Sequence, residues 1–81
     1  MTGVHGAGDV QEIEVKNEAL IGKTIEEVGP MLPHDCLVAL ISRNGETMVP
    51  TAEYTIERGD KLTLLGQHDP VREGMELLEK Q

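Results

Sequence analysis

Four short stretches of this chain hold residue types that could do chemistry. His34-Asp35-Cys36 sets an imidazole, a carboxylate and a thiol in consecutive positions, the groups of a thiol nucleophile and its activating base. Gly22-Lys23-Thr24 has the ending of a phosphate-binding loop, and Glu12 with Glu14, or Glu26 with Glu27, offers carboxylate pairs to a hard cation. Side chains of neighbouring residues in an extended segment point to alternate faces, so the His, Asp and Cys diverge. The pattern G-x-x-x-x-G-K-[ST] lacks its earlier glycine, leaving a turn followed by a helix start. Zinc needs three or four converging ligands, and one cysteine with scattered His5, His34 and His68 has no such spacing. No acid/base pair can be assembled, so no enzymatic activity is expected. A divalent cation stays open as a ligand, although no EF-hand loop is present and acidic residues in a first helical turn also complement the helix dipole.

The elements that would carry these residues can be read from periodicity and turn chemistry. Residues 1–10 hold three glycines and no apolar period, which reads as a flexible leader or linker; the ordered domain is expected over residues 11–80. Gln11 to Lys16 alternates polar and apolar residues, a half-exposed strand with Ile13 and Val15 on one side. Thr24 and Glu27 form an S/T-x-x-E capping box that starts a two-turn helix, which Gly29-Pro30 ends. Cys36 to Arg43 is apolar on both faces of its pleat until Ser42, as in a central covered strand. Asn44-Gly45 then predicts a type I′ hairpin that pairs Arg43 with Glu46, Ser42 with Thr47, Ile41 with Met48 and Leu40 with Val49. Gly59 serves a tight turn before a last strand, Lys61 to Gly66. Asp69 as N-cap with Pro70 at the first helical position opens a closing helix, whose Val71, Met75 and Leu78 form one stripe. The order implies an α+β fold, a small, mostly antiparallel sheet covered by a short helix and a C-terminal helix.

Composition sets the outer limits. With 81 residues the chain is one domain, and 21 of them are Leu, Val or Ile, enough to build a core despite a net charge of −8. Tyr54 is the only aromatic residue, so many small aliphatic contributions must hold the fold, and self-association to bury more surface is expected. The acidic balance and the lack of a stacking platform exclude nucleic acid as a partner. The longest apolar run, Cys36 to Ile41, is six residues against the ~20 needed to span a bilayer, so no direct membrane insertion is expected. No secretory signal begins the chain, and a lone cysteine fits a reducing, cytoplasmic setting.

Four segments carry a resemblance: Leu20 to Val28, Cys36 to Gly45, Val49-Pro50, and Ile56 to Gly66. In this order and spacing they resemble the TrkA C-terminal domain family, also called the C-terminal lobe of the regulator of potassium conductance, over about residues 11 to 80. The resemblance implies a ligand-sensing homodimer at the cytosolic face of a potassium-type channel, cation antiporter or other transporter, on the same or another chain. It further implies that copies pair around the short helix and the following strand. Pro30, Met31, Leu32, Leu37 and Ala39 are the residues that would form that ligand or dimer groove.

Some members of the family bind cyclic di-AMP between the two copies, through an Ile-Arg-Ala segment and an Asn. Here Pro30-Met31-Leu32 and Leu37 stand at those places, so the phosphates would meet neither guanidinium nor amide, and that ligand is disfavoured. The competing expectation is a purely structural assembly module of a transporter with no small-molecule ligand and no cofactor.

Overall fold

The computed structural model describes residues 8–81. Four strands, β1 (Asp9–Glu14), β2 (Cys36–Arg43), β3 (Glu46–Met48) and β4 (Lys61–Gly66), form one antiparallel sheet in the order β1-β4-β2-β3. Helix α1 (Ile25–Val28), extended by a 3₁₀ turn over Gly29–Met31, precedes β2, and helix α2 (His68–Glu79) closes the chain. Helix α2 packs on β1, β4 and β2, so the core lies on one side of the sheet. Ile41, Leu62 and Leu64 from the strands meet Val71 and Leu78 from α2 there, together with Leu20, Val28, Leu32 and Ile56. The expected fold class holds.

Local chemistry accounts for the joints. Asn44 and Gly45 both have positive φ, 53° and 83°, and the hairpin pairs Arg43 with Glu46, Ser42 with Thr47 and Ile41 with Met48. The ladder stops there: Val49 is exposed beyond the end of β3 and does not pair with Leu40. The capping box forms as expected, Glu27 donating its backbone N–H to Thr24 Oγ1 at 3.3 Å while Glu27 Oε1 accepts from the Thr24 N–H at 2.9 Å. At the far end of α2, the Leu78 carbonyl accepts from the backbone N–H groups of Lys16 and Asn17, satisfying a helix-end acceptor and tying the segment after β1 to the helix.

Three expectations need correction. Strand β1 begins at Asp9, so Asp9 and Val10 belong to the sheet rather than to a leader; their partners Gly66 and Leu65 extend the ladder where glycine content alone suggested a linker. The remainder of that leader, residues 1–7, lies outside the described residues, as does His5. Helix α2 starts at His68 with Gln67 as its extended N-cap, which makes no side-chain capping bond, so Asp69 and Pro70 sit inside the first turn, where a missing N–H costs nothing. Finally, β2 is not covered on both faces. Both helices contribute to the core on one side, and the outward Leu37 and Leu40 are left exposed.

Gly74 explains an apparent defect in α2. A Cβ there would sit 3.0 Å from Cys36 Sγ and Leu64 Cδ1, so glycine lets the helix approach the sheet. Among the described residues, no helix is long and apolar enough to cross a membrane.

Candidate functional site

Register and exposure together define the open face of the sheet. Val10 is paired with Leu65, and Leu65 with Leu37, which sets three apolar side chains in a row across β1, β4 and β2. They are 60%, 39% and 54% exposed, and Leu40, one step along β2 past a bulge at Ala39, is 38% exposed. The next rows turn polar: Leu40 is paired with Thr63, and Thr63 with Glu12, and Ser42, Lys61 and Glu14 follow. One half of the face is thus aliphatic and the other charged.

The aliphatic half borders a shallow cavity of about 310 Å³ lined by Asp35, Cys36, Leu37, Leu65, Gly66 and Gln67. Its floor is set by a close backbone approach: any Cβ on Gly66 would collide with the Asp35 carbonyl, which accepts the Gln67 N–H at 3.1 Å. Asp35 holds a positive φ of 69°, uncommon for a residue with a side chain. The lining offers one carboxylate, one amide and apolar surface but no Lys or Arg, so it favours aliphatic groups over phosphate.

The residues singled out from the sequence divide among three environments. Leu37 lies in the exposed row and Ala39 at the bulge beside it. Pro30 and Met31 are exposed on the 3₁₀ turn, in a different element. Leu32 turns into the core beneath α2, where its Cδ2 comes within 3.4 Å of the place a Gly74 Cβ would occupy. His34 and Asp35 are exposed with 3.7 Å between Nε2 and Oδ1, whereas Cys36 Sγ faces α2, so the three groups do not converge. Burial pushes the Cys36 thiol above its usual range, the opposite of what a thiolate nucleophile needs. Among the described residues, no three His, Cys, Asp or Glu side chains come together as a metal site.

Sequence reasoning missed two features. Val10 and Leu65 join the open face only through the β1-β4 register, although Leu65 did carry a signal, an apolar residue in the polar phase of Leu62-Thr63-Leu64-Leu65. The second is a polar cluster at the other end of the sheet. Asp60, 1% exposed, accepts from Arg43 Nε at 2.9 Å, Arg43 Nη2 at 3.0 Å, the Tyr54 hydroxyl at 2.9 Å and the Glu57 N–H at 2.9 Å. The Arg43 guanidinium stacks over the Tyr54 ring at 4.7 Å. Burial alone would raise the Asp60 carboxyl; the bonds from Arg43, Glu57 and Tyr54 outweigh it and hold the group below its ordinary value. Burial and the neighbouring Asp60 push Tyr54 up to about 12.

The family model described as the TrkA-C domain matches residues 10–79. A Trk system potassium uptake protein TrkA homolog of Methanothermobacter thermautotrophicus is 28% identical over 69 residues, 85% of this chain and 31% of that protein. A putative transport protein of Histophilus somni is 33% identical over 73 residues, 88% of this chain and 13% of that protein. This chain therefore spans a third or less of these relatives. Among solved structures, an RCK domain with cda superposes with a TM-score of 0.74 at 26% identity, covering 86% of this chain and 97% of that one. A GsuK channel bound to NAD gives 0.73 at 20% identity, covering 93% of this chain and 14% of that one, a likeness of fold alone.

Proposed function

The chain belongs to the TrkA-C domain family, and from that premise we propose that it is a ligand-responsive regulatory domain of a potassium-type transport protein, acting as a homodimer on the cytosolic side of the membrane. The observation that carries this reading is the exposed row Val10–Leu65–Leu37, continued by Leu40, on a sheet face that neither helix covers. Strand β2 has the composition of a buried central strand, and a second copy laid on the open face would give it the cover its sequence is built for. Met31 on the 3₁₀ turn adds an exposed apolar contact at the rim. Regulation then requires only that a ligand bind one arrangement of the two copies better than another, since differential affinity alone moves an equilibrium.

The absence of cationic side chains from the cavity beside Leu37 favours a second reading of the same surface, a structural assembly module without a small-molecule ligand. A thermal-shift series with NAD, ATP, cyclic di-AMP, calcium and magnesium separates the two. A ligand present at 100 times its Kd adds about 2.7 kcal/mol to the folded state, so a regulatory domain shows a clear rise with at least one compound. A flat response to all five supports the assembly module. For cyclic di-AMP the expected response is none.

A further inference from the structure

The cluster at Asp60 lies away from the open face and serves no part of the proposed role, yet it organises a segment that the sheet itself does not hold. Arg43, at the end of β2, bonds both Asp60 oxygens and the Thr55 carbonyl at 3.1 Å, and its Nη1 lies 3.5 Å from Glu57 Oε2. Tyr54 and the Glu57 N–H converge on Asp60 Oδ2, so one buried carboxylate fixes residues 54–60 against the hairpin. The same loop supports α1. Ile25 donates to the Tyr54 carbonyl at 2.9 Å and Glu26 to the Ala52 carbonyl at 3.1 Å, satisfying two N–H groups that a helix start leaves without partners. Gly22 donates to the Ile56 carbonyl at 2.8 Å, Ile56 to the Lys23 carbonyl at 2.9 Å, and Thr24 faces Thr55 in an isolated bridge. A helix of four residues cannot sustain itself in water, so α1 depends on this loop, and the loop depends on Asp60 and Arg43.

From these contacts we infer that Arg43, Tyr54 and Asp60 form a conformational latch. It holds the loop over residues 51–59 and, through it, α1 and the exposed Met31 turn, as a unit that can open while the sheet and α2 stay folded. Leu20, Val28 and Ile56 dock that unit on the core by apolar contact, and the latch supplies its polar anchorage. The inference goes beyond the proposed regulatory role and stands on contacts within one copy of the chain, whatever the chain's partners.

Native-state hydrogen exchange on the full chain and on Asp60→Asn tests it. The latch predicts that in the unchanged chain the amides of Gly22, Ile25, Glu26 and Ile56 are at least ~10-fold less protected than those of the β2-β4 ladder and of α2, and that Asp60→Asn speeds their exchange at least ~10-fold further. Equal protection of both regions in the unchanged chain would show a single cooperative unit and overturn the latch; unchanged rates at all four amides in the variant would overturn it as well. If Asp60→Asn does not fold, Tyr54→Phe, which removes one hydroxyl and keeps the ring under Arg43, takes its place, with a smaller acceleration of the four amides expected and no acceleration contradicting the latch.

Discussion

On β4, Leu62 and Leu64 point beneath α2 and are fully buried, whereas Leu65, the next residue along, points to the opposite face and is exposed in line with Val10 and Leu37. The two faces share residue types and differ in what covers them. The inner one is closed by α2, with Val71 and Leu78 and a glycine at position 74 that brings the helix close. The outer one has an aliphatic half, a charged half and no cover. An apolar side chain is therefore no guide to its own role: beneath α2 it stabilises the chain alone, and on the open face it is available to a partner.

Truncation on the inner face should have the largest effect. Leu62→Ala removes buried methyl groups from a packed core and should cost roughly 2–5 kcal/mol in urea unfolding. Gly66→Ala tests the end shared by both faces: the new Cβ meets the Asp35 carbonyl, the strands must separate there, and a loss of about 1–3 kcal/mol is expected by the same measurement.

Acid should act on the inner side as well. Asp60 is held below its ordinary value, so its contribution is complete above the unfolded carboxylate pKa near 3.8 and is lost as pH falls through the lower folded value. Glu27, lowered chiefly by its bonds from the Thr24 backbone and side chain, adds to the same limb. A pH series of melting temperatures should fall in this acid range, and Asp60→Asn should flatten the fall while lowering the plateau above it. Smallest of all should be Leu65→Ser, which changes the stability of the single chain by no more than about 0.5 kcal/mol, since the side chain is exposed there. A loss as large as that of Leu62→Ala would erase the distinction between the faces.

Much of this architecture was legible because its signals are local. Asn44-Gly45 demands positive φ at two adjacent residues and so sets the hairpin register, and Thr24 with Glu27 sets the helix start within four residues. The start of α2 was misplaced because Asp69-Pro70 has the composition of a cap and a first helical residue but sits two residues further in, behind a Gln67 that caps with no side-chain bond. Reading β2 as covered on both sides was an error with a physical basis: the open face of the strand and its core-facing side have the same apolar composition. The candidate groove was only partly legible for a related reason. Leu32 and Met31 are adjacent and both apolar, and only the packing under α2 decides that one is buried and the other free. The Arg43–Asp60 pair spans 17 positions, beyond the reach of any periodicity.

The central claim, that the open face receives a second copy, is tested most directly by sedimentation equilibrium of the chain beside Leu37→Asp. The account predicts a dimer for the unchanged chain and a monomer of unaltered fold, checked by circular dichroism, for the variant. A chain that stays monomeric at high concentration, or a Leu37→Asp variant that dimerises as strongly as its parent, would contradict it.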